Sequence, residues 1–279
     1  MRFFLKRQFM GKKKNLKGLE EFEIDFINEK LEGNRVSDYI DPDGLINVRG
    51  LKALNYKLNI KCKNQKQKEF LENLKNKNHQ ICFGVGSPGT GKSFLSLAYG
   101  LKALKDGDFE NIVMVIPTAQ AGGADLSLGF LKGDFFEKTR MFTEADKETI
   151  NKILKLSGNI SYQEITNTLI NSNIIKYEYV NFLLGKTIDN SIILVNESEQ
   201  YTKDNMRLIL TRLGENSKII ITGDSKQVNR KSIKNKNDVS GLDYSIEKLS
   251  DMEEVSVTEF TDEDIVRNGL ITKILQHWD

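Results

Sequence analysis

Residues 81–104 read ICFGVGSPGTGKSFLSLAYGLKAL. Three signals stand end to end here. Residues 81–85 are an apolar run of strand length, and residues 92–104 carry apolar positions at helical spacing. Between them, Gly86 to Ser93 fits G-x-x-x-x-G-K-[ST] at every fixed position, with the strand before it and the helix after it that this pattern requires. The glycines let backbone N–H groups turn inward around phosphates, and the helix adds the positive end of its dipole. In such a loop Lys92 reaches the β and γ phosphates and the Ser93 hydroxyl ligates Mg²⁺. The phosphate-binding set is therefore Gly86, Ser87, Pro88, Gly89, Thr90, Gly91, Lys92 and Ser93. A second fragment, LLGKT at 183–187, fails the same pattern because Val180 stands where the first glycine must be.

Outward from this stretch, short apolar runs alternate with amphipathic ones. Strands are expected at 81–85, 111–117, 173–180, 191–196, 218–224 and 255–260. Helices are expected at 65–76, 92–104, 143–156, 161–171, 203–214, 240–249 and 262–276. The inner strands are apolar on both faces, which predicts an α/β protein with a mostly parallel central sheet and helices on both faces. Residues 1–60 read as a small N-terminal appendage and residues 61–279 as the main domain. Within the appendage, residues 16–31 have helical spacing, DPDG at 41–44 is a turn, and residues 1–17 form a basic arm. That arm is either a phosphate-touching segment or a solvated terminus.

Bulk properties exclude several classes. The 279 residues are 39% hydrophobic and 29% charged, as a globular core requires, and a net charge of +2 makes no case by itself for nucleic acid or membrane. Two cysteines, Cys62 and Cys82, cannot form a disulfide framework and point to a reducing, cytoplasmic setting. No apolar run approaches the ~20 residues of a membrane span, and the basic start lacks the apolar core of a secretory signal.

Two further strand ends carry chemistry. SIILVNES, 191–198, runs from a buried strand into Asn196 and Glu197. At the phosphate-binding edge of an α/β sheet, the first of these can hold Mg²⁺ through water, although as an amide it brings no charge. Glu197 can orient or deprotonate an attacking water. The alternative is that 196–199 caps a helix. TGDSKQ, 222–227, follows the strand KIII and puts Thr222, Gly223, Asp224 and Gln227 where a γ-phosphate or attacking water could be sensed. The alternative there is an ordinary Gly-Asp turn.

With these residues in place, the chain from about 62 to 279 resembles the PhoH-like proteins, P-loop ATPases related to superfamily 1 helicase cores. The likeness rests on NQKQ (64–67), FGVGSPGTGKS (83–93), LGFLKGD (128–134), SIILVNESEQ (191–200), MRLILTRLGENSKIIITGDSKQ (206–227), SGL (240–242) and DIVRNGLI (264–271). It implies a RecA-like fold using ATP and Mg²⁺. It implies Gln65 as the adenine-recognising glutamine, Asn196 and Glu197 at the metal and base positions, and Thr222, Gly223, Asp224 and Gln227 as the sensor. It also implies Arg267 as a late arginine reaching the γ-phosphate in the same or a neighbouring subunit, and leaves Arg212 without a role. There are departures. NESEQ (196–200) replaces the usual DEAQN, Ile116-Pro117 replaces Arg-Pro, and TAQAGGAD (118–125) blurs an acidic position.

Three functions follow as expectations. The first is an ATPase acting on RNA or single-stranded DNA. One lobe of this type cannot clasp a strand alone, so a homo-oligomeric ring, a hexamer by the resemblance, would complete it. KQVNRKSIKNKN (226–237) would be a sequence-tolerant backbone contact or else a solvated loop. The second is a nucleotide-gated binding module or scaffold with slow or no hydrolysis, because Asn196 lacks the usual charge. The third, a small-molecule kinase, has TGDSKQ and the lack of an Arg-rich lid against it.

Overall fold

The computed structural model describes residues 56–117, 135–227 and 240–266. Residues 1–55, the LGFLKGD and TAQAGGAD segments, most of the basic stretch 226–237 and Arg267 lie outside these.

A six-stranded sheet forms the centre, in the order β3-β2-β4-β5-β1-β6, and each neighbouring pair is parallel. The strands are β1 (Ile81–Gly86), β2 (Asn111–Ile116), β3 (Ile175–Tyr179), β4 (Ser191–Val195), β5 (Lys218–Gly223) and β6 (Val255–Phe260). The helices are α1 (Gln65–Lys75), α2 (Lys92–Asp106), α3 (Phe135–Leu156), α4 (Tyr162–Asn171), α5 (Lys203–Leu210) and α6 (Gly241–Leu249). This is the α/β, RecA-like architecture expected from the sequence.

The two-residue period of β4 shows why both faces must be covered. Ile192 and Leu194 join a core built with α1–α4, whereas Ile193 and Val195 join a second core with α5 and α6. Every residue of β4 is buried.

Local chemistry sets the helix ends. Asn64 caps α1 by accepting from the Gln67 N–H at 2.8 Å. The other end of α1 is closed from the sheet, where buried Lys218 donates to the Leu74 and Asn76 carbonyls at 2.6 and 2.9 Å. Thr202 and Ser240 cap α5 and α6 in the same way as Asn64 caps α1.

Ahead of α1, residues 56–63 lie across the helical layer. The Tyr56 hydroxyl donates to Leu101 O at 2.9 Å, and the backbone N–H groups of Lys57 and Asn59 donate to Asn159 and Ser157 side chains. Among the described residues, Tyr56, inside the span read as an appendage, already packs in the core.

Two helices differ from the sequence reading. The expected helix at 262–276 begins as a single 3-10 turn, Asp262–Asp264, with Thr261 and Asp264 capping each other. Ile265 then turns extended, and the Val266 N–H donates to Gly89 O at 3.1 Å, so this strand exit is held on the phosphate loop; the rest of 262–276 lies outside the described residues. Helix α5 stops at Leu210, not at Gly214. Gly214 instead lies against residues 188–189, where a Cβ would sit 1.9 Å from Asp189 Oδ1. Among the described residues no helix is long and apolar enough to cross a membrane.

Candidate nucleotide site

The loop between β1 and α2 is closed on itself. Gly86 takes φ +125°, and a Cβ there would meet the Phe260 carbonyl of β6 at 1.9 Å, so only glycine fits. Gly91, at φ +92°, turns the chain into α2. Lys92 Nζ donates to Gly86 O at 2.6 Å, Ser87 O at 2.8 Å and Thr90 Oγ1 at 3.3 Å. Its ammonium is therefore parked on loop carbonyls, where an arriving phosphate would compete for it. The loop is clamped from outside by a hydrogen bond between Ser87 and the Asp262 carboxylate and by Val266 on Gly89. From the α1 side, the Gln67 amide donates to Thr90 O at 2.8 Å and accepts from the Lys63 N–H at 2.7 Å.

The strand order decides what faces this loop. β5 lies between β1 and β4, so the Asn-Glu strand end is one strand removed from the cradle. The register pairs Gly84 with Thr222 and Val195 with Ile221, which aligns the three carboxyl ends. Thr222 bridges the gap. Its hydroxyl donates to Asn196 Oδ1 at 2.8 Å and stands 3.3 Å from Ser93 Oγ. Since threonine has a single hydroxyl proton, Ser93 is the donor in the second contact, and its lone pairs stay available.

Glu197 leaves β4 in the left-handed region, φ 49° and ψ 47°, a costly conformation for a residue with a Cβ and one that concentrates at functional sites. Its exposed carboxylate lines a cavity of about 360 Å³ together with Lys92, Ser93, Thr222, Gly223 and Asp224. Behind it, buried Glu199 accepts from the Asp224 N–H at 3.0 Å. Burial first, and then the hydrogen bond with Glu197, push the Glu199 carboxyl up to about 8, so it keeps its proton at neutral pH. The 3-10 turn Ser198–Gln200 is anchored by Tyr201, whose hydroxyl donates to Val115 O at 3.0 Å.

A strand-borne phosphate loop, a neutral Ser-Thr-Asn chain and a carboxylate facing the same cavity meet at one sheet edge. A family profile described as PhoH-like protein matches residues 59–279. This chain belongs to the PhoH-like family. Among its relatives, a PhoH-like protein of Bacillus subtilis (strain 168) is 32% identical over 221 residues, covering 79% of this chain and 64% of that protein. Protein PhoH of Escherichia coli (strain K12) is 29% identical over 216 residues, covering 77% and 57%. A PhoH-like protein of Synechocystis is 26% identical over 220 residues, covering 79% and 62%. The chain thus spans somewhat under two-thirds of the length of these curated relatives. The family is of the P-loop ATPase type.

In this PhoH-like chain the structure brings together Gly86–Ser93, Asn196, Glu197, Thr222, Gly223 and Asp224. It does not bring Gln65 to the cavity: that side chain is exposed at the first position of α1, and the glutamine on the loop is Gln67. Gln227 ends the 3-10 turn Ser225–Gln227 beside Asp224, and Arg267 lies outside the described residues, directly after the Val266 anchor. Arg212 acquires a role as a brace, donating to Leu183 O at 3.4 Å and Lys186 O at 2.9 Å.

Two residues escaped the sequence reading. Gln67 could have been found from the cap, since an Asn64 cap turns its third following residue back toward the preceding chain. Glu199 could have been found from the second acid of NESEQ.

The donors near Ser93 also test the fit of Mg²⁺. Ser93 and Asn196 are neutral, and no group of three or more His, Cys, Asp or Glu suited to a metal occurs among the described residues. Mg²⁺ commonly binds through few protein ligands plus phosphates and water. The set therefore fits an ion that arrives with a triphosphate.

Proposed function

We propose that this chain binds ATP at Gly86–Ser93 and hydrolyses its terminal phosphate. The observation that carries this reading is the Ser93–Thr222–Asn196 hydrogen-bond chain with Glu197 facing the same cavity. The backbone N–H groups of the loop and Lys92, released from its carbonyls, bind the phosphates. Ser93, with Asn196 acting through water, would hold Mg²⁺, which when bound neutralises phosphate charge. Glu197 orients the attacking water and takes its proton. Glu199 fixes the N–H of Asp224, which together with Gln227, Thr222 and Gly223 forms the sensor edge. Arg267 supplies the remaining positive charge, from the same subunit or a neighbour.

The substrate-level proposal is work on RNA or single-stranded DNA, in the cytoplasm, by a homo-oligomeric ring of the 61–279 domain with residues 1–60 as its appendage. One sheet of this type is one lobe, and a ring supplies a second surface to each site. The test measures phosphate release from ATP with and without single-stranded RNA, beside Lys92→Ala. Release that exceeds this control and rises with RNA supports the reading; release equal to the control contradicts it. Asn196 favours a second reading, a nucleotide-gated scaffold, because its amide preserves the hydrogen bond from Thr222 without contributing charge. Tight ATP binding without phosphate release would select it.

A further inference from the structure

We infer that the site selects a triphosphate but not a base, so that this chain takes adenine, guanine, cytosine and uracil nucleoside triphosphates alike. The inference rests on the proposed nucleotide site and concerns the part of the cavity beyond the phosphate loop.

The glutamine that could read adenine is spent on the protein. Reading adenine takes one amide donor and one amide acceptor on the base edge. The Gln67 amide gives its donor to Thr90 O at 2.8 Å and its acceptor to the Lys63 N–H at 2.7 Å. The side chain is 4% exposed, and a Cβ on Gly91 would lie 2.8 Å from its Nε2, so the amide is wedged against the loop. Turning it toward a base would unpair the buried Thr90 carbonyl and the Lys63 backbone N–H, and leaving such groups unpaired is costly. Asn64 is committed as well, accepting from Gln67 N and donating to Asp264 O at 3.1 Å. Gln65 is exposed and is not among the cavity-lining residues.

The remaining described wall does not encode a base. It offers Lys61, Lys63 and Lys152, the apolar Phe94 and Leu156, and Thr149, whose hydroxyl already donates to Ala145 O at 2.9 Å. Ammonium groups on flexible stems donate to acceptors that every base carries, and an aromatic or aliphatic face stacks with any of them. A site built to hydrogen-bond its substrate rejects an analogue by about 10⁴-fold or more, whereas a pocket without such bonds discriminates far less. Here base identity should change affinity by no more than about tenfold. Gln67 acts as a positioning residue that joins Lys63 to the loop.

The test is direct titration of the full chain, in excess Mg²⁺, with ATP, GTP, CTP and UTP, repeated on Gln67→Leu and Lys92→Ala. The expected result is four dissociation constants within about tenfold of one another, all weakened by the same factor in Gln67→Leu. ATP binding more than tenfold tighter than the other three overturns the inference, as does Gln67→Leu weakening ATP alone; the wild-type profile decides even where that variant does not fold. If the selective profile is lost in Lys92→Ala, the nucleotide site stands and only this inference falls. If none of the four binds, or Lys92→Ala binds as the parent does, the nucleotide reading falls and this inference with it.

Discussion

Gly223 ends β5 directly above the turn that carries Ser198 and Glu199. A Cβ there would lie 2.3 Å from Ser198 Oγ, 2.7 Å from Glu199 Oε2 and 2.8 Å from Leu242 Cδ2. Leu242 can yield by rotating. Ser198 and Glu199 are buried, and Glu199 also holds the Asp224 N–H at 3.0 Å. Gly223→Ala must therefore push the 198–199 turn away from β5. Overpacking of this kind costs about 1–3 kcal/mol, and unpairing the Asp224 N–H adds about 1–3 kcal/mol. The sum is about 2–6 kcal/mol, which for a domain of this size corresponds to a fall in Tm on the order of 5–20 °C. Thermal and urea unfolding would measure it, with Gly185→Ala as the control. Gly185, unlike Gly223, has a positive φ, but a Cβ there meets nothing within 4 Å, so its loss is confined to backbone strain of about 1 kcal/mol. A Gly223→Ala protein as stable as the parent, or no less stable than Gly185→Ala, would refute the close packing of β5 on the Asn-Glu turn.

Two further outcomes follow from the same corner. Asn196→Asp keeps an acceptor for the Thr222 hydroxyl and adds the missing charge, so steady-state phosphate release should rise at least about tenfold, or ~1.4 kcal/mol of barrier; an unchanged rate would show that the amide is no brake. Glu199 gives a pH signature. Its folded carboxyl releases its proton at about 8 against an ordinary value of 4.5. Between these values the folded state binds more protons than the unfolded state, so stability falls as pH rises through the window, by no more than about 1.4 kcal/mol per pH unit. Glu199→Gln keeps an acceptor for Asp224 and should flatten urea-unfolding stability between pH 5 and pH 8; the parent slope persisting in the variant would refute the assignment.

Strand and helix order could be read from the sequence because the inner strands β2, β4 and β5 are almost wholly apolar and buried on both faces, and the helices carry an apolar stripe. The stretch 81–104 also announced its strand, loop and helix without any knowledge of the remainder. Pattern fails where one tertiary contact overrides it. The helix expected from 262 does not start there: Asp262–Asp264 is a single 3-10 turn, Ile265 is extended and Val266 bonds to Gly89. The site was legible in its fixed residues but not in its wiring. The strand order, with β5 between the cradle and Asn196, determines that Thr222 is the link, and no local pattern records that order. Gln65 and Gln67 differ only in which side of α1 they occupy, and the Asn64 cap fixes that phase. Glu199 looked like one more polar residue after the motif; its burial beneath Gly223 is visible only in three dimensions.

The most direct test of the central claim pairs phosphate release with ATP binding in Glu197→Gln. Glu197 is exposed on the cavity wall and makes no contact with the loop that would account for ATP affinity. The account predicts ATP affinity within about threefold of the parent and turnover lower by about 10²-fold or more, as expected for loss of a general base. Parent turnover no higher than that of Lys92→Ala, or Glu197→Gln turnover equal to the parent, would contradict it.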